Sequence, residues 1–299
     1  MELLTKKWCH LEDDAYIVIV TDKYMLDLAE EIKHQAINTC EIIIYDSTIY
    51  NYEKLLELSP KDLLIAMFSI DTYIFKGANK EYQPFGKPRD LCAKYAFIRL
   101  NITKESLLQG LGTPKNLIYE TLDRFSRIKN GSKVHVTNKS GTDIILEIDE
   151  FEIWDHEIFE DGGMAFLPPS ETPSYIPEGK SNGKIVIDMT VGQLYHYGKL
   201  VDWFGLVDQP VTLTIESGLV TDITGGAMAI RLRDRLFSMD PACRKIVELG
   251  KGLSRMSPTG NIGVDESILD SCHFGLGNAS ECGVHLDLVL SDPVIKVLD

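Results

Sequence analysis

The feature that most constrains this chain is a change of hydrophobic period part-way along it. In the first third, compact apolar runs recur at Ala15 to Thr21 (AYIVIVT), Glu41 to Tyr45 (EIIIY), Asp62 to Phe68 (DLLIAMF) and Tyr95 to Leu100 (YAFIRL). Amphipathic stretches separate them, from Asp22 to Asn38 and around Tyr52 to Leu58, and further helical patterns continue to Arg127. Strands that are apolar on both faces, spaced by helices, predict a parallel sheet covered on each side. We therefore expect a doubly wound α/β domain over residues 1–130. After its first strand the chain reads Thr21-Asp22-Lys23-Tyr24, with neither a G-x-G-x-x-G nor a phosphate-binding loop. This domain reads as a scaffold.

At Asn130-Gly131 the pattern changes. Lys133 to Ile148 reads as a hairpin turning at Asn138 to Gly141. Strand patterns follow at Lys184 to Asp188, Val211 to Glu216 and Leu219 to Ile223. Gly225-Gly226 precedes a helical pattern from Ala227 to Phe237, with a second helix expected from Pro241 to Leu249. Two strand-like runs close the chain, His285 to Leu290 and Val294 to Leu298. The second domain, residues 131–299, is thus expected to be antiparallel β with a few helices, an α+β layout.

Composition excludes several functions. A net charge of −15 disfavours nucleic acid, whose phosphates demand basic patches, and equally an anionic membrane surface. No run approaches the eighteen or so apolar residues of a membrane-spanning helix, and Met1 to Cys9 is not followed by a signal-peptide core. Six cysteines (Cys9, Cys40, Cys92, Cys243, Cys272, Cys282) form no C-x-x-C pair, so reduced thiols in a cytoplasmic protein are expected. The partners expected are a small-molecule or peptide substrate and a second copy of the chain, as a homodimer.

The chemistry concentrates near the C-terminus, in Cys272-His273-Phe274-Gly275-Leu276-Gly277 and then Val284-His285-Leu286-Asp287. Residues two apart on a strand share a face, so His285 and Asp287 project together. Glycines around His273 let backbone come close, which suits a ligand held beside that strand. Two histidines and a carboxylate leave coordination positions open, as in non-haem Fe(II) oxygenases and hydrolytic zinc sites. We assign His273, His285 and Asp287 as metal ligands. Hydrogen-bonded core or surface histidines are the competing reading.

These stretches, with Glu248-Leu249-Gly250-Lys251-Gly252-Leu253 ahead of them, resemble the aminopeptidase T family of metallopeptidases. They resemble equally its shorter relatives, which include 2,5-dihydroxypyridine 5,6-dioxygenase. Gly141-Thr142-Asp143, Glu178 to Val186 and Gly218 to Gly226 look like further motifs of the group in the same order, so the resemblance spans residues 133 to 299. The peptidase branch implies two adjacent ions held by two glutamates, two histidines, an aspartate and a tyrosine. His273, His285, Asp287 and Glu248 match four of these. The tyrosine's place holds Ser280, and the second glutamate's place holds Gly163. The dioxygenase branch implies one Fe(II) on two histidines and a carboxylate, a set that is intact here.

We therefore expect one divalent ion, with Fe(II) favoured and Zn(II) or Co(II) as alternatives. Glu248 and Glu178 are expected to be catalytic, orienting a ligand or moving a proton. Glu171, like Glu178, lies where it could fold inward and restore a second ion. Three functions follow: an oxygenase acting on a small aromatic or peptide-derived molecule, an aminopeptidase-like hydrolase, or a relative without catalysis that binds a peptide in a biosynthetic pathway.

Overall fold

The computed structural model describes residues 2–44, 62–69, 94–153 and 163–298, so the helix expected around Tyr52 to Leu58 falls outside the described residues. The chain divides into two compact units, Met1–Thr113 with Trp154–Ser170, and Pro114–Ile153 with Glu171–Asp299. Among the described residues no helix is long and apolar enough to cross a membrane.

The first unit is built on a five-stranded sheet. Its strands are β1 (Tyr16–Thr21), β2 (Thr39–Ile44), β3 (Leu63–Met67), β4 (Lys94–Ile98) and β7 (Gly163–Leu167), in the order β2-β1-β3-β4-β7. All four pairings are parallel, as continuous apolar runs require. Helix α1 (Leu26–Gln35) buries Ala29 and Ile32, and α2 (Lys104–Leu111) starts where the Thr103 hydroxyl accepts from the Ser106 amide at 3.1 Å. One face of the sheet packs Val18, Val20, Leu64, Phe68, Tyr95 and Phe97 together. Phe97 meets Phe166 edge-to-face at 5.6 Å, which ties the last strand into this core.

The second unit contains two six-stranded sheets. One comprises β5 (Ser132–Thr137), β6 (Asp143–Ile148), β9 (Ser181–Ile187), β12 (Val211–Glu216), β13 (Leu219–Thr224) and β17 (Val294–Leu298), in the order β13-β12-β9-β6-β5-β17. The other comprises β8 (Glu171–Tyr175), β10 (Thr190–His196), β11 (Lys199–Leu206), β14 (Ile246–Gly252), β15 (Ser271–Leu276) and β16 (Leu286–Ser291), in the order β11-β10-β16-β15-β14-β8. Both are antiparallel throughout. Their inner faces share one core, in which Val134, Ile144, Ile185 and Leu213 meet Leu249, Phe274, Leu286 and Leu288. Helices α3 (Lys115–Ser126), α4 (Ala227–Phe237), α5 (Ile262–Asp265) and α6 (Ala279–Cys282) complete the unit.

Three expectations change here. The composition shift at Asn130-Gly131 lies inside the second unit, because α3 and the turn after it belong there. Phe125 stacks edge-to-face on Phe151 at 4.8 Å, and Phe125 and Ile128 join the second core, at roughly 1.5–3 kcal/mol each. The chain also returns to the first sheet through β7, so residues 131–299 are not one continuous unit. The helix expected from Pro241 to Leu249 is instead a short turn, Pro241–Arg244, followed by strand β14. That last change puts Glu248 on a sheet rather than a helix.

Candidate metal centre

The site follows from alternation along β14, β15 and β16. On β15, Cys272, Phe274 and Leu276 point into the shared core, so His273 and Gly275 face the other way. On β16, Leu286, Leu288 and Leu290 are core residues and Asp287 takes the opposite face. Register then aligns the rows, with Gly275 opposite both Glu248 and Asp287, and Gly250 opposite His273. A register shift between Ile246 and Glu248 turns the glutamate onto this face.

Side chains from four strands and the residue before β16 converge there. His273 Nε2 lies 2.8 Å from Glu171 Oε2 and 3.5 Å from Glu248 Oε1. His285 Nε2 lies 3.2 Å from Asp287 Oδ1 and 3.7 Å from Glu248 Oε2. The result is two groups of three donors, Glu171–Glu248–His273 and Glu248–His285–Asp287, each with its donor atoms within 4.8 Å of one another. Glu248 belongs to both, one oxygen toward each histidine.

Two glycines make the hollow in which these groups sit. A Cβ at Gly250 would come within 2.0 Å of His273 Cε1, 2.1 Å of its Nε2 and 2.6 Å of Glu171 Oε2. One at Gly275 would come within 2.9 Å of His285 Cε1 and 3.3 Å of Asp287 Oδ1. No side chain fits at either place without displacing a donor.

The charge balance favours a cation. Three largely buried carboxylates face two imidazoles, and buried charge is costly unless it is compensated. Burial pulls the His273 pKa down, but the charge of Glu171, with Glu248 and Asp287, outweighs it and holds the imidazole well above its ordinary range. Asp287 raises His285 to about 10 against the opposing effect of burial, with help from Glu248 and the Gly277 carbonyl at 3.2 Å. The carboxylates that raise both imidazoles would equally attract a divalent cation. The buried His273 Nδ1 makes no hydrogen bond. Imidazole and carboxylate donors with spare lone pairs suit Fe(II), Zn(II) or Co(II).

The structure brings His273, His285, Asp287 and Glu248 together. Glu248 stands between the two histidines with one oxygen toward each, so the donors fall into two groups of three that share it. Glu178 is a correction. It sits in the turn after Pro177, with Gly179 at φ +75, and its exposed carboxylate pairs with Lys245 Nζ at 3.1 Å. Ser280 is exposed and hydrogen-bonds Asn278, and Gly163 begins β7. The second carboxylate comes from Glu171 instead. Tyr175, opposite Glu248 in the sheet, is a neighbour the sequence reading did not single out. Burial first, then Glu152, Glu248 and Glu171, raise its phenol, which stays protonated as a donor. Cys272 faces the core with its thiol pushed up to about 12 by burial, and is inert.

The model of the 2,5-dihydroxypyridine 5,6-dioxygenase (NicX) family matches residues 99–266, more than half of the chain. The chain belongs to this family. The matched segment includes Glu171 and Glu248 and ends before His273, so the three C-terminal donors rest on the geometry above. No curated protein matches the sequence. Among solved structures, the fold is similar to that of 2,5-dihydroxypyridine dioxygenase from Pseudomonas putida KT2440. The TM-score is 0.61 at 16% identity, over 97% of this chain and 90% of that one. It is also similar to AmpT, the aminopeptidase T of Thermus thermophilus, with a TM-score of 0.51 at 14% identity, over 99% and 93% of the two chains.

Proposed function

We propose that this family member is a metal-dependent ring-opening oxygenase holding one Fe(II) per chain and acting on a small dihydroxylated aromatic or heteroaromatic molecule. The observation that carries the reading is the Glu248–His285–Asp287 group, three donors that Gly275 lets pack close over the sheet. Fe(II) bound there supplies the redox chemistry that O2 activation needs, with coordination positions left for substrate.

The chain's own residues do the rest. Gly275 leaves the room that Glu248, His285 and Asp287 occupy, and Gly250 leaves it for His273 and Glu171. His273 Nε2, beside Glu171 Oε2, holds a proton that can pass to a developing oxyanion. The Tyr175 phenol, across from Glu248, donates a hydrogen bond to a ring oxygen. The test is O2 consumption by anaerobically reconstituted protein given 2,5-dihydroxypyridine. Stoichiometric uptake with loss of the aromatic absorbance supports the reading, and none over a panel of dihydroxylated rings removes it.

One observation favours a second reading, a two-ion hydrolase. The oxygens of Glu248 face two different histidines at 3.5 and 3.7 Å, as a carboxylate bridging two ions would. Two ions per chain and release of p-nitroaniline from amino-acid p-nitroanilides would favour it.

A further inference from the structure

Glu178, drawn away from the metal centre, lies on a different cavity of the second unit. This cavity has a volume of about 320 Å³, within the usual range for small-molecule sites. Its floor is apolar, formed by Ile176, Leu219, Ile246 and Val247, with Pro241 and Ala242 at one side. Its polar end is a single cation between two anions: Lys245 Nζ lies 3.1 Å from Glu178 Oε1 and 2.9 Å from Glu281 Oε1.

We propose that this cavity binds a small zwitterion with an apolar body, of the α-amino-acid class. An ammonium carries three donors, and two of those on Lys245 point to the glutamates. The third is available to a ligand carboxylate. Each glutamate keeps lone pairs that accept from a ligand ammonium. A lone acid would meet two repelling carboxylates, and a lone amine would forgo the contact to the third Lys245 donor. Only a ligand carrying both charges satisfies every group, and the apolar floor takes its side chain.

The cavity is joined to the metal centre through backbone. Gly277 N donates to Lys245 O at 2.8 Å, and Gly277 O lies 3.2 Å from His285 Nδ1. Lys245 also leads into β14, whose irregular step at Val247 aims Glu248.

The test is calorimetric titration of metal-loaded protein with L-leucine, with 3-methylbutylamine and 4-methylpentanoate as the amine-only and acid-only probes. Saturable leucine binding is expected, with each half-probe weaker by about tenfold or more, the worth of one charge-assisted contact. Lys245→Met should weaken leucine by a similar factor, whereas Asp287→Asn should retain it. The proposal is overturned by absence of leucine binding, or by half-probes that bind as well as leucine. Binding that survives Lys245→Met but vanishes in Asp287→Asn would place leucine on the metal and overturn it equally.

Discussion

The two halves of the metal centre are unlike, although Glu248 serves both. In the inner half, Glu171 and His273 have side-chain exposures of 11% and 1%, and His273 Nδ1 is buried without a hydrogen bond. In the outer half, 38% of the His285 side chain is exposed and its ring leans on the Gly277 carbonyl. The inner half is fixed by packing in mid-strand, and the outer half sits at the end of β16, open to solvent. An enzyme needs both characters, a rigid wall and an accessible face where ion and substrate exchange. On this account the outer half holds the reactive ion and the inner half holds a proton.

Several experiments break or sharpen that contrast. The largest effect is expected from Asp287→Ala or His285→Ala, each removing one of three outer donors. Metal affinity should fall by more than about a hundredfold, read by metal analysis after gel filtration, with the fold retained. Stoichiometric metal in both variants would defeat the assignment of the outer half. Next come the glycines. Gly250→Ala drives a Cβ into the His273 ring and should cost about 3 kcal/mol in urea unfolding. Gly275→Ala meets softer contacts and should cost about 1 kcal/mol. Equal costs would mean that the inner half is no more tightly packed than the outer. Glu171→Gln is smaller still. It should lower the pKa of His273 in metal-free protein, followed by NMR of the ring, while leaving bound metal in place. Loss of the ion in that variant would move it to the inner half.

How much of this was legible in the sequence depended on periodicity. The parallel strands of the first unit and helix Ala227–Phe237 announce themselves by apolar runs and by period. Strand β14 does not, because I-V-E-L-G-K-G carries an irregular step and two glycines, and reads as a helix by spacing alone. The His-x-Asp pair was visible as a local alternation. Glu171 was visible only as one of two carboxylates able to fold inward, since only pairing of β8 with β14 brings it to His273 across a hundred residues of chain. Glu178 misled for the opposite reason. A glutamate before a glycine looks like a site motif, but the glycine turns the chain and the carboxylate meets Lys245. The division at 113/114 was hidden because α3 joins the second unit through contacts distant in sequence, Phe125 on Phe151 and the Arg124 guanidinium donating to the Ile295 carbonyl.

The smallest effect is one of pH. In the metal-free folded chain Asp287 raises His285 from 6.5 to about 10. The folded state therefore binds this proton more tightly than the unfolded state does. Its stabilisation is fully present below pH 6.5 and is lost as pH rises to about 10, with solvent screening at the exposed ring keeping it small. The urea midpoint of metal-free wild type should fall relative to His285→Asn across that window. Parallel curves would mean that the ring gains nothing from Asp287.

The most direct test of the central claim is anomalous scattering at the iron edge from crystals grown anaerobically with Fe(II). The account predicts a single peak among Glu248, His285 and Asp287. A single peak between Glu171 and His273, or none, would contradict the assignment, and two peaks within about 4 Å would replace the oxygenase reading with the two-ion one.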